Sequence, residues 1–128
     1  MRWIVDGMNV IGTRPDGWWK DRRRAMARLV DQLERWASAE GRDVAVVFEQ
    51  PPSQPIRSTV IEIGYAPRAA ANSADDEIIR LVRADDRPQD IIVVTSDTAL
   101  ADRTRTAGAD AYPATTFRNL IDPPHQSD

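Results

Sequence analysis

Acidic residues stand where apolar runs of this sequence end or where a helical pattern begins. Asp6 follows "WIV", Glu49 follows "VAVVF", Asp97 follows "IIVVTS", and the run "DDEIIRLVRA" opens with Asp75, Asp76 and Glu77. Carboxylates that come together repel one another, so a cluster of them destabilises a fold unless a cation compensates. Oxygen ligands of this kind suit Mg²⁺ or Mn²⁺, which keep several waters for substrate phosphates. If the fold joins these segments, the sequence predicts a divalent metal site.

The composition excludes several kinds of active site. The chain has 128 residues, no cysteine and a single histidine, His125, close to the carboxyl terminus. Disulfides, zinc–thiolate sites and cysteine nucleophiles are therefore excluded. A metal-free ribonuclease typically needs imidazoles as general acid and base, and one histidine in a polar tail does not supply them. Cleavage of phosphodiester bonds by this chain would thus need a metal-activated water.

The apolar segments alternate between strand-like and helix-like patterns. Short β-branched runs predict strands at 2–5, 44–48, 59–63 and 91–94. Helical spacing predicts a long helix whose apolar stripe runs from Trp19 to Trp36, with Gly41 as a stop, and two shorter helices at 75–84 and 98–107. This alternation is typical of an α/β fold with a mostly parallel sheet. We expect one domain over residues 1–121, a proline-rich loop at 49–58 and a disordered tail over 122–128.

A parallel sheet would bring several of these acids together. Ligands of such sheets bind beyond the carboxyl ends of the strands, where the strand order reverses, and Asp6, Glu49 and Asp97 would all lie at that edge. Each acid also has a simpler explanation when it is taken alone. Asp97 fits a helix N-cap, Asp6 with Gly7 fits a turn, and acids in a first helical turn favour the helix dipole. Their conjunction is what favours a metal site.

Basic and aromatic residues near the start of the long helix are candidates for binding RNA. The net charge is -3, so no global positive field attracts a polyanion and any such contact must be local. Arg22 or Lys20 could bind phosphate, and Trp18 could stack on an unpaired base. The alternative is equally compatible with the pattern: the Arg22 stem and Trp18 would then simply pack on the core. Trp19 is predicted to face the core.

Several motifs together resemble a known family. The segments "IVDGMNVIG", "VVFE", "YAPRAAANSADDEIIRLV" and "VVTSDTALADRTRTAGA" resemble the NYN domains, in particular the YacP-like branch of the PIN-like nuclease fold, from Trp3 to about Leu120. The resemblance implies a three-layer sandwich, in which helices flank the sheet, and a metal-dependent ribonuclease, expected to be an endoribonuclease, that uses Mg²⁺ or Mn²⁺. By position it implies these catalytic residues: Asp6, Asn9, Asp75, Asp76 and Asp97.

The resemblance also ranks the site residues. It implies Asp6, Asp75 and Asp97 as the metal ligands, with Asp75 preferred over Asp76 because Asp75 aligns with the first acid of its motif. Ser96 is a neighbour of second rank. Glu49 is also of second rank, because relatives often carry aspartate at this position and the extra methylene changes the reach of the carboxylate.

The expected partner is RNA, a class that includes mRNA on the ribosome. No apolar stretch approaches the ~20 residues that cross a bilayer, and the amino terminus lacks a signal-peptide pattern, so we expect a cytoplasmic protein without a membrane partner. A non-catalytic RNA-binding or ribosome-associated module of the same fold is the alternative. Clustered negative charge facing phosphate argues against it. This chain has no lysine after a late strand, which a receiver domain would require. Its "DGMN" segment also lacks the second aspartate of a DxDx phosphatase.

Overall fold

Five strands form one sheet in the structure, a computed structural model that describes residues 1–67 and 73–123. The strands are β1 (Arg2–Asp6), β2 (Asp43–Phe48), β3 (Glu62–Tyr65), β4 (Ile91–Val94) and β5 (Asp110–Tyr112). Their order in the sheet is β3-β2-β1-β4-β5, and every neighbouring pair is parallel. The chain builds outward from β1 to β3 on one side and returns to place β4 on the other. The strand order therefore reverses at β1, which makes its carboxyl end the expected place for a ligand.

Helices cover both faces of this sheet. They are α1 (Gly7–Ile11), α2 (Arg22–Glu40), α3 (Ser73–Ala84), α4 (Thr98–Thr106) and α5 (Ala114–Ile121), with short 3-10 helices at Trp18–Lys20 and Pro88–Asp90. Trp3 and Val5 of β1 pack in a core with α1, α2 and α5, whereas Ile4 packs in a second core with α3 and α4. Successive strand residues point to opposite faces, which explains this alternation. The predicted three-layer α/β sandwich is confirmed.

Most of the predicted elements are confirmed, but the third strand begins later than the sequence indicated. Residues 59–63 were expected to form it, and the ladder with β2 instead starts at Glu62, opposite Ala45. The Ser58 hydroxyl accepts hydrogen bonds from the backbone N–H groups of Val60 and Ile61, both at 3.1 Å. This local turn keeps the preceding residues out of the sheet. The loop at 49–58 contains no helix or strand, as predicted.

Three elements carry too little pattern to be predicted. Helix α1 has five residues, strand β5 has three and helix α5 has eight. Hydrophobic periodicity needs a longer window than the first two provide. Helix α5 begins directly after Pro113, and its first N–H, on Ala114, donates to the Ser96 hydroxyl at 2.9 Å. That capping contact joins residues that are 18 positions apart in the sequence, so no local pattern predicts it.

The start of the long helix differs from the prediction. Gly17 adopts a positive φ of 83°, the 3-10 turn Trp18–Lys20 follows, and Asp21 is the N-cap of α2. Trp19 is 51% exposed, whereas Trp18 is half-buried and packs against the core. The prediction that Trp19 faces the core is wrong, because the helical spacing that would place it there begins only at Arg22.

The carboxyl-terminal segment is anchored as far as Asp122, where the predicted tail begins. The Asp122 carboxylate accepts a hydrogen bond from Arg14 Nη1 at 2.8 Å. Residues 124–128, which include His125, lie outside the described residues, as do residues 68–72. In the part of the chain that the structure describes, no helix combines the length and the apolar character needed to cross a bilayer.

Candidate active site

Asp6 is the last residue of β1 and is almost enclosed, with 7% of its surface exposed. The hydroxyl of Thr95, the first residue after β4, donates a hydrogen bond of 3.0 Å to Asp6 Oδ2. The next residue, Gly7, must be small, because a Cβ at this position would lie 2.5 Å from the buried Phe48 ring. The chain passes directly into α1 here, so the alternative of a plain Asp-Gly turn is wrong. Asp6 is a buried carboxylate at the reversal of the strand order.

The pKa of Asp6 reports the environment of this carboxylate. Burial is the largest cause that raises the pKa, to about 7, and the hydrogen bond from Thr95 opposes it. Negative charge on three further acids raises the pKa as well: Asp75, Asp97 and Glu49. We call Asp6, Glu49, Asp75 and Asp97 the acidic edge. Their effect on Asp6 indicates that acids from four segments of the chain lie near one another.

The two adjacent aspartates of α3 have different surroundings. Asp75 is half-buried, and its pKa is raised by burial and by the charge of Asp97, whereas the nearby Arg103 lowers it. The side chain of Asp76 is 78% exposed, and its Oδ1 accepts a hydrogen bond of 3.0 Å from Arg103. Asp75 is therefore the better candidate ligand of the pair, which agrees with the preference drawn from the resemblance.

Glu77, the third acid of this run, is neutralised within its own helix. Both of its carboxylate oxygens accept hydrogen bonds of 2.7 Å from Arg80. These bonds lower the pKa of Glu77. Although Glu77 opens the same helix as Asp75, its charge does not contribute to the acidic edge.

Asp97 both caps a helix and contributes to the acidic edge. Its Oδ1 accepts a hydrogen bond of 3.1 Å from the N–H of Leu100, which is the N-cap contact of α4. Its own N–H donates to the Thr95 hydroxyl at 3.1 Å. Thr95, which links Asp6 to Asp97 and is 3% exposed, was not among the residues predicted for the site. The only available signal was a hydroxyl residue directly after an apolar strand and two residues before the acid.

Asn9 and Ser96 use their side-chain oxygens to join elements around the acidic edge. Asn9 Oδ1 accepts a hydrogen bond of 2.8 Å from the N–H of Ser96, which ties α1 to the β4–α4 connection. The Ser96 hydroxyl accepts from Ala114 and so ties the same connection to α5. In this geometry both residues position the acidic edge through the backbone.

The acids of the edge are close enough to affect the pKa of Asp6, but they do not form a compact set of metal ligands. Within residues 1–67 and 73–123, no three His, Asp or Glu side chains come close enough together to bind one ion directly. Hard divalent cations that bind through one or two carboxylates fill their remaining positions with waters and substrate oxygens. The charges of the acidic edge suit such a cation.

Of the predicted RNA contacts, Arg22 lies beside an acid of the edge. Arg22 lines a cavity of about 250 Å³ together with Met8 and Glu49, the latter an acid of the edge. The Arg22 guanidinium also lies 5.3 Å from the centre of the Trp18 ring. Lys20 is exposed and lines a second cavity beside Trp18. Arg22, which also lies close to Trp18, thus adjoins the acidic edge at Glu49, whereas Lys20 lines the other cavity.

Comparisons with known proteins identify the family to which this fold belongs. The family model of the YacP-like NYN domain matches residues 3–127. Two crystal structures of Rae1 (YacP) from Bacillus subtilis, one of a mutant form, are similar to this chain: each has a TM-score of 0.77 and covers 95% of this chain and 74% of its own, at 25% identity for the mutant form and 24% for the other. No curated protein matches significantly. The chain belongs to the YacP-like NYN domain family, a branch of the PIN-like nucleases.

Proposed function

We propose that this chain is a metal-dependent ribonuclease that hydrolyses phosphodiester bonds of RNA at the acidic edge. Membership of a PIN-like nuclease family supports a function of the ribonuclease type. The observation that carries the finer proposal is Asp6, a buried carboxylate whose pKa is raised to about 7 by burial and by three neighbouring acids. A fold gains no stability from such an arrangement, so a cationic ligand is the simplest reason for it. We propose RNA as its partner and the cytoplasm as its location.

The acidic edge fits a hard divalent cation by its chemistry. Its side chains offer only oxygen ligands, and a positive ion would relieve the repulsion that raises the pKa of Asp6. One or two of the carboxylates of Asp6, Asp75 and Asp97 would bind Mg²⁺ or Mn²⁺ directly and the others through waters, with Glu49 in a secondary role. When bound, such an ion lowers the pKa of a water and stabilises the charge on phosphate oxygens.

The residues of the chain would prepare this site. Thr95 fixes the relative positions of Asp6 and Asp97 through its two hydrogen bonds. Asp6 must release its proton before it can bind a cation, because metal ligands act in their deprotonated form. Arg22 and Lys20 would bind phosphates of the strand on the side of α2, and Trp18 would contact a base. These contacts would keep the RNA on the acidic edge despite the negative net charge.

The experiment compares adjacent aspartates. A pool of single-stranded and structured RNA is incubated with Mn²⁺, Mg²⁺ or EDTA and the native protein, Asp6→Asn, Asp75→Asn or Asp76→Asn. We expect cleavage that EDTA abolishes and that falls at least about 100-fold in Asp6→Asn and Asp75→Asn. Asp76→Asn is the matched control and should stay near the native rate, because Asp76 is exposed and paired with Arg103.

Two outcomes would contradict the proposal. Cleavage that persists in EDTA would exclude a metal-dependent reaction. Binding of RNA without cleavage in either metal would favour the alternative, a non-catalytic RNA-binding or ribosome-associated module.

A further inference from the structure

A second cavity, of about 380 Å³, lies between α2 and the last turn of α5, on the opposite flank of α2 from the one that contains Met8. Exposed cationic side chains line its opening, and Arg118 of α5, which is 5% exposed, lies deeper. We call it the α2–α5 cavity and define it by Lys20, Arg24, Arg28, Gln32 and Arg118. Its volume is within the range of about 300–1,000 Å³ that is usual for small-ligand sites.

The cations at the opening are arranged in a row. Arg24, Arg28 and Gln32 follow one another at intervals of four residues, so they share one face of α2, and Lys20 lies on the 3-10 turn before it. Among residues 1–67 and 73–123, no carboxylate lies within ion-pair distance of Lys20, Arg24 or Arg28. Three neighbouring cations repel one another, and an anion would relieve that repulsion.

The two carboxylates that line the cavity are already engaged. Asp21 accepts the N-cap hydrogen bond from the N–H of Arg24 at 3.1 Å. Asp16 accepts a hydrogen bond of 3.2 Å from the N–H of Trp18 and lies 3.6 Å from Arg118 Nη2. The opening therefore keeps an excess of positive charge.

Two residues that line the cavity, Gln32 and Arg118, each have a buried polar atom without a hydrogen bond. Gln32 Oε1 and Arg118 Nε are buried and form no hydrogen bond with any described residue. Arg118 Nη1 donates to the carbonyl of Val10 at 3.1 Å, but Nε lies 3.5 Å from Asp122 Oδ2, which is too long for a good hydrogen bond. Buried polar atoms in proteins normally have partners. Because neither atom is accessible, both lie behind the wall of the cavity, and an occupant would be bound by the exposed cations at the opening.

The cavity is close to the acidic edge. Helix α1 starts directly after Asp6 and ends at Ile11, which lines the α2–α5 cavity. A helix of five residues spans about 7.5 Å, so an RNA strand with a phosphate at the acidic edge would reach the cavity within a few nucleotides.

We propose that the α2–α5 cavity binds one nucleotide of the RNA strand close to the cleaved bond. The phosphate lies on Lys20, Arg24 and Arg28, because guanidinium groups match phosphate oxygens with paired donors. The ribose or base occupies the remainder of the cavity, which Trp18 also lines. This inference rests on the proposed function, since it assigns part of the substrate of the same site.

The test measures binding without cleavage. A short fluorescein-labelled single-stranded RNA is titrated in EDTA, by fluorescence anisotropy, across a range of salt concentrations. We compare the native protein with Arg24→Gln/Arg28→Gln and with the matched control Arg83→Gln/Arg87→Gln, which removes the same charge from exposed positions in and just after α3. The cavity variant should bind about tenfold more weakly at low salt, with a slope of log K against log salt that is shallower by about 0.7 for each lost phosphate contact.

Three results would overturn this assignment. Equal losses in both double variants would show a general effect of charge, and native binding by the cavity variant would show that the cavity takes no phosphate. AMP or UMP that binds the native protein as tightly as the RNA does, and that the cavity variant no longer binds, would identify a free nucleotide as the occupant instead of the strand.

Cleavage with Mn²⁺, measured in parallel, separates this inference from the proposed function. Native binding by the cavity variant, together with cleavage by the native protein, would refute the cavity assignment alone. Binding that depends on the cavity, in a native protein that cleaves no RNA, would refute the nuclease and leave the nucleotide site supported.

Discussion

Asp6→Asn should make the metal-free protein more stable at alkaline pH. The substitution removes the charge and keeps a carbonyl oxygen that can accept the hydrogen bond from Thr95. In the folded protein the pKa of Asp6 is raised from its ordinary 3.8 to about 7, so the folded state holds this proton more tightly than the unfolded state does. The stability that Asp6 contributes is therefore fully present below about pH 4 and is lost as the pH rises through about 7.

The size of the effect follows from the difference between the two pKa values. A difference of about three pH units, at about 1.4 kcal/mol per unit, makes ionised Asp6 cost up to about 4 kcal/mol of unfolding free energy near pH 8. Because asparagine does not ionise, the variant should exceed the native protein by up to that amount near pH 8 and match it near pH 4. For a chain of this length the change corresponds to a Tm higher by up to about 15 °C.

The assay is urea denaturation in EDTA across this pH range, with Asp76→Asn as the control. The control also removes an acid of the same type, but from a side chain that is 78% exposed, so its profile should follow that of the native protein. Adding Mn²⁺ should stabilise the native protein and leave Asp6→Asn unaffected, because only the native site binds the ion. Equal pH profiles for native and Asp6→Asn in EDTA would refute the reasoning, as would a variant that is less stable near pH 8.

Three further predictions follow from the same geometry. The affinity for Mn²⁺, measured by calorimetry, should fall about tenfold for each pH unit below about 7, because Asp6 must release its proton; a constant affinity would contradict this. Thr95→Val should lower cleavage by about 10–100-fold, since it removes the link between Asp6 and Asp97, and Thr95→Ser should restore most of it; equal rates in the valine and serine variants would refute the role of the hydroxyl. Gly7→Ala should destabilise the fold by about 1–3 kcal/mol in urea denaturation through contact with Phe48, and adding Phe48→Leu should recover part of that loss; a double variant less stable than both single variants would argue against the contact.

The sequence predicts the parts of this fold that repeat a pattern over several residues. The runs that form β1, β2 and β4 are apolar and β-branched, and α2 presents a regular apolar stripe, so each could be recognised locally. The acids of the edge could be anticipated because parallel strands end on the same side of a sheet. Their grouping was thus a consequence of the predicted topology.

Other features depend on contacts between distant segments and leave no local trace. Thr95 joins the site through a bond to a residue 89 positions away. Trp18 is half-buried, and Trp19, which was predicted to face the core, is exposed, because a 3-10 turn follows a glycine with positive φ. The helical spacing of the neighbouring residues gives no sign of this turn. The α2–α5 cavity forms only when α5 packs beside α2, so its arginines read in sequence as ordinary residues of an exposed helix face.

The central position of β1 has a consequence for synthesis of the chain. Asp6 leaves the ribosome well before the strand on its second side, β4, which begins only at Ile91 and is followed by Thr95 and Asp97. Domains generally fold as units once their sequence is available. The acidic edge is therefore incomplete on every nascent chain shorter than about three quarters of the domain. A growing chain cannot acquire this site in stages, and any activity that the site has begins only when the sheet closes around its first strand.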